Sequence, residues 1–223
     1  MTVVPKGVFS PPAPIDFEWD EQRTLQYFYF LPAPLHGRLL GLTHNACFAL
    51  TIGVATWIWH RFEQFGKTDE VRDYVDAAWA EMAEGWYCET VTRSRDDWRG
   101  PWRNPLASLM SILNDAIDGR DSNPVQADRT VWMINLARHV IRPAEPFERW
   151  LEAVISRLEL LHGWGTEAPV QDDIFADSFW QGDVVSPDAL DPGSAYSPAS
   201  AEAALMHYLQ EIERRGNPHV VRL

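Results

Sequence analysis

The sequence predicts an all-α fold, a globular bundle of six to seven helices packed around one central apolar helix at about 39–65. Three observations carry that expectation. Apolar residues recur at helical spacing in five separate segments. Asn-Pro, Ser-Pro and Gly punctuate those segments where helices start and stop. One further stretch, GLTHNACFALTIGVATWIWHRFEQF (41–65), is apolar on nearly every side, as a helix surrounded by others must be.

Residues 1–20 read as an extended arm, because Pro5, Pro11, Pro12 and Pro14 cannot join a helix. At its end Ile15, Phe17 and Trp19 alternate with Asp16, Glu18 and Asp20, which would lay the arm along a surface groove. The remainder, 21–223, reads as a single helical domain. Residues 21–31 predict a short helix stopped by Pro32 and Pro34. Over 69–90 the residues Val71, Tyr74, Val75, Ala78, Trp79, Met82 and Trp86 make an amphipathic stripe. Asn104-Pro105 and Asn123-Pro124 each look like an N-cap followed by proline at the first helical position, with Gly119 closing the first helix and Pro143 the second. Pro146 opens the next helix and Gly163 ends it; Ser197-Pro198 opens the last, which ends at Gly216. No stretch reads as a convincing strand.

Along the central helix Asn45, Ala49, Gly53, Thr56, His60 and Gln64 form one small or polar stripe on a bulky cylinder. A neighbouring helix packed closely over Ala49 and Gly53 would explain it, with Asn45 and His60 hydrogen-bonded at the ends. The other reading is a pocket between helices, using Asn45, Thr56 and His60 with His44 and Glu63 nearby. A Cys47/His44 nucleophile would further need an orienting group and an oxyanion site. A di-iron bundle would need Glu-x-x-His on two helices, whereas His60 and Glu63 occur once and in the reverse order. No catalytic residue, metal site or cofactor is therefore assigned.

A net charge of −13 is the wrong sign for a generic nucleic-acid binder or for an anionic membrane surface. The run from Cys47 to Trp59 is too short and too interrupted to span a bilayer. Two cysteines make no disulfide framework, and the N-terminus lacks the features of a signal peptide, so a cytoplasmic setting is the default.

Two segments carry the functional expectation. The connection VTRSRDDWRGPWRN (91–104) places Arg99 and Arg103 beside Trp98 and Trp102, the residue types most enriched at binding hot spots. The segment 164–199 holds seven acids and no Lys or Arg, with Phe175, Phe179 and Trp180 interleaved, a composition typical of partner-binding motifs. Together they point to a non-enzymatic protein-binding protein (an adaptor, an inhibitor or immunity-type protein, or a complex subunit) whose partner presents a basic surface. A homo-oligomer is compatible with the same features. The alternative is a bundle enzyme or small-ligand binder using the central stripe.

Overall fold

The computed structural model describes residues 4, 8–9, 14–91, 98–120, 125–164 and 181–223. It is an all-α bundle. Its helices are α1 (Ala33–Leu40), α2 (His44–Phe62), α3 (Asp69–Ala77), α4 (Arg103–Asp118), α5 (Val125–Val140), α6 (Glu145–His162) and α7 (Ala201–Arg214). One feature was not expected: strands β1 (Trp86–Cys88) and β2 (Val220–Arg222) pair antiparallel, with Tyr87 opposite Val221. Three residues per strand are too few to show an alternation in sequence.

The opening apolar stretch is the centre of the core. Sixteen of the 19 residues of α2 are buried, and α3, α4, α5 and α6 all pack on it. The helix is shorter than predicted because residues 41–43 separate it from α1. Thr43 is the N-cap, its Oγ1 accepting from the Ala46 amide at 3.3 Å, a contribution of about 1 kcal/mol. The same corner is tied to the end of α6: the Thr43 amide donates to the His162 carbonyl, and the Trp164 amide to the Gly41 carbonyl.

At Gly53 the small stripe of α2 is covered by two large side chains, one of them from α6. A Cβ on Gly53 would stand 2.6 Å from Leu190 Cδ1 and 3.3 Å from the ring of Trp150, so both large groups rest on the glycine. Leu190 belongs to residues 181–199, the described part of the long acidic segment. That part is anchored. Trp150 Nε1 donates to the Leu190 carbonyl at 2.8 Å, and Arg157 donates to the carbonyls of Asp191 and Pro192.

Other boundaries moved for local reasons. Within 21–31 only a 3-10 turn forms, at Thr24–Tyr27. Pro32 and Pro34 do not stop a helix; they sit at the start of α1, where a missing N–H costs nothing. The stripe from Val71 to Trp86 is buried throughout, yet α3 ends at Ala77, a 3-10 turn covers Ala78–Met82, and Gly85 (φ +77°) turns the chain into β1. A three-residue turn keeps the same side chains facing inward, so helical periodicity survives the end of the α-helix. Asn104 is not the N-cap of α4; Trp102 holds that place, and Asn104 Oδ1 accepts from Trp19 Nε1 at 2.9 Å. Asn123-Pro124 lies outside the described residues.

The end of the arm follows its alternation: Ile15, Phe17 and Trp19 are half-buried while Asp16, Glu18 and Asp20 are exposed. Arg61, 1% exposed, reaches it from α2. Its guanidinium donates to the Pro14 carbonyl at 2.6 Å and to the Val140 carbonyl at 3.3 Å. Burial lowers its pKa, with Asp16 opposing. Gln64 Nε2 holds the Phe9 carbonyl in the same way at 2.8 Å.

Candidate functional site

The predicted Arg/Trp contact residues divide into tethered rings and exposed cations. Trp98 and Trp102 are half-buried against the core. Trp102 packs against Gly66, where a Cβ would stand 2.7 Å from its ring. Arg103 is exposed, with its guanidinium 5.0 Å from the centre of the Trp102 ring. Arg99 is exposed too. The turn between them is fixed by the segment ahead of α1, since the Gly100 amide donates to Glu21 Oε1 at 3.0 Å. Phe175, Phe179 and Trp180 lie outside the described residues.

Trp98 belongs to a feature that sequence reasoning missed. It forms one wall of a groove of about 800 Å³ whose other walls include Leu25, Phe28 and Met110, with Glu21, Arg23 and Asn114 among its polar groups. Beyond Leu25 the chain presents Tyr29, Phe30 and Leu31 to solvent. These four are 61%, 57%, 50% and 42% exposed, and they are four of nine large exposed hydrophobic residues among the described ones. Scattered apolar residues need no explanation, whereas a contiguous set does. This set is held in place. Asn135 of α5, almost fully buried, donates from Nδ2 to the carbonyls of Phe28 (3.0 Å) and Phe30 (2.8 Å). The Tyr29 ring lies 4.2 Å from that of Trp132. The sequence signal was there in YFYF, but a predicted helix over 21–31 would have buried it.

The polar residues of the central stripe do not share one pocket. Asn45 is buried at the start of α2, where Nδ2 donates to the Gly182 carbonyl at 3.0 Å and Oδ1 accepts from Arg120 at 3.1 Å. His44 is buried beside it. Thr56 and His60 sit more than half the helix away and line a different cleft. His60 Nδ1 is 3.1 Å from Glu63 Oε2. Cys47 points its thiol at the Leu39 carbonyl, 3.3 Å away, and burial pushes its pKa up to about 12. A thiol in that state is a core residue, not a nucleophile. Among the described residues no three His, Cys, Asp or Glu side chains gather as metal ligands would.

The cleft that holds Thr56 and His60 lies between α2, α3 and α7 and measures about 670 Å³. At its base Tyr208 of α7 donates to Asp76 of α3 at 2.8 Å. Burial raises the pKa of both groups, against the opposing pull of Arg215. Arg72, Arg214 and Arg215 stand around them.

Comparison with protein-family models, with curated proteins and with solved structures finds no match to this chain. Among the described residues no helix is long and apolar enough to cross a membrane.

Proposed function

We propose that this protein binds another protein through the surface made by Leu25, Tyr29, Phe30, Leu31 and the adjoining Trp98 groove. The observation that supports it most is the rigidity of an exposed apolar stretch. Asn135 fixes its backbone, so little conformational entropy remains to be lost on binding. Aromatic anchors held in this way are the usual centre of an interface, each worth roughly 2 kcal/mol or more. The charge of −13 favours a partner with a basic rim around an apolar ridge. Arg103, exposed and next in sequence to Asn104 of the groove wall, would pair with a carboxylate of the partner, while Trp98 contributes apolar area. A cytoplasmic setting suits two cysteines that are both free thiols.

The test is site-specific photo-crosslinking in the native cell, with the reactive residue at Tyr29 and, as control, at Glu202 on α7. We expect one stoichiometric adduct at position 29, lost in Leu25→Ser/Phe30→Ser and weakened by high salt. Both replaced residues are exposed, so the melting temperature should not move. Adducts equal at 29 and 202 would sink the proposal. An adduct between two copies of the chain would make the surface a homo-oligomer interface instead.

A further inference from the structure

We infer that the cleft between α2, α3 and α7 is a second binding site, one that takes a small organic anion through its phosphate or carboxylate group. None of its lining residues belongs to the 25–31 surface or to the Trp98 groove, so the two proposals stand or fall separately.

The argument begins with charge. The whole chain sets 19 Lys and Arg against 32 Asp and Glu. In this cleft the balance differs: Arg72, Arg214 and Arg215 with His60 and His207 line the same walls as Asp76, Asp188 and Glu211. The acids are partly occupied already. Asp76 accepts from Tyr208, and Glu211 Oε1 is 3.6 Å from His207 Nε2. The cations are not equally occupied. Arg72 is held by Asp69 at 3.0 Å and Asp73 at 2.9 Å, which fixes it at the rim. Arg215 uses only Nε, on the Glu211 carbonyl at 3.4 Å, which leaves its two terminal nitrogens. Arg214 makes no hydrogen bond or ion pair among the described residues.

Two guanidiniums that line one cleft and keep donors unused are matched by a ligand that only accepts. A phosphate or carboxylate does so, in bidentate geometry. Tyr208 already spends its proton on Asp76, so the floor of the cleft offers a neutral ligand no donor of its own. Trp59, Val75, Pro187 and Ala204 supply an apolar wall for the organic part. The volume of about 670 Å³ is far more than an inorganic ion needs and lies in the usual range for metabolite pockets, roughly 300–1,000 Å³.

The experiment follows the arginine Nε–Hε signals of the full chain by NMR during titration with inorganic phosphate, citrate and adenosine monophosphate. For at least one of the three, the Arg214 and Arg215 signals should shift and saturate with a shared dissociation constant. Arg149, exposed on α6, should only drift with ionic strength. Arg214→Gln/Arg215→Gln should weaken binding at least tenfold. Both side chains are exposed, so the fold should hold; if the double variant melts early, Arg214→Lys replaces it, with charge kept and the fork lost. Citrate and adenosine monophosphate separate carboxylate from phosphate recognition. Linear drift at Arg214 and Arg215 with all three anions, matching Arg149, would overturn the inference. So would saturable binding that survives in the variants.

Discussion

Tyr208 on α7 donates its hydroxyl to the Asp76 carboxylate on α3 at 2.8 Å, closing a contact between residues 132 positions apart. Burial is the first cause of the raised pKa at Asp76, and the Tyr208 hydrogen bond, Arg215 and Arg72 offset it only in part. A carboxyl raised above its ordinary value of 3.8 holds its proton longer in the fold than in the unfolded chain. Its contribution to stability is therefore greatest below that value and is lost as pH rises through the folded pKa. Asp76→Asn carries no charge at any pH and should escape the loss. We expect the melting temperature of Asp76→Asn relative to the native chain to rise between pH 4 and pH 7. A difference that falls over this range would mean that the Tyr208 hydrogen bond and the arginines, not burial, decide the state of Asp76. Tyr208→Phe leaves the carboxylate without its donor and should cost about 1–3 kcal/mol at pH 7 by urea denaturation.

Gly182 carries the fold of the described acidic segment. Its φ is +71°, and a Cβ there would lie 2.4 Å from Thr43 Cβ, the N-cap of α2. Its carbonyl accepts from Asn45. Gly182→Ala meets both the left-handed backbone penalty, about 1–2 kcal/mol, and a collision with a residue that cannot move without uncapping α2. Urea denaturation should show a loss of about 2 kcal/mol, and hydrogen exchange should quicken at residues 184–190 first. Unchanged exchange there would show that Leu190 on Gly53 and the Trp150 hydrogen bond suffice to dock the segment.

How much of this could be read from the sequence depended on range. Periodicity found the helices because it is a local consequence of one buried face, and the all-round apolar character of about 39–65 placed the central helix. It missed the ends wherever a distant group decided them. Residues 41–43 separate α1 from α2 because the corner bonds to His162 and Trp164. Asn104 is spent on Trp19, 85 residues away, and so is not a cap. The 25–31 surface was hidden for the same reason. Nothing in YFYF says that Asn135 will hold it open. Likewise Thr56 and His60 could be placed on one face, while Arg72, Arg214 and Arg215, which complete their cleft, come from two other helices and the turn after the last.

The cysteines give a chemical test of the core. Cys47 is 1% exposed with its pKa pushed up to about 12 by burial, and burial raises that of Cys88 as well. Neither thiol should react with a disulfide reagent at pH 8 in the folded chain, and both should react at once in denaturant. Rapid reaction of Cys47 in the folded protein would reopen the reading of Cys47 and His44 as a reactive pair.

Trp102 and Arg103 are neighbours in sequence with opposite expected behaviour. The Trp102 ring covers Gly66 and joins the edge of the core, so Trp102→Ala opens a gap over backbone that the half-buried ring had covered. A fully buried tryptophan would cost about 3–5 kcal/mol, and this partly exposed one should cost less, on the order of 2 kcal/mol. Arg103 gives up only a cation–π contact 5.0 Å from that ring, so Arg103→Ala should stay within about 0.5–1 kcal/mol of the native chain. If Trp102→Ala melts like the native protein, its indole contributes nothing to the core. It would then be available to a partner, alongside Trp98. If it is destabilised as expected, Trp102 belongs to the edge of the core, and the contact surface ends at Trp98 and Arg103.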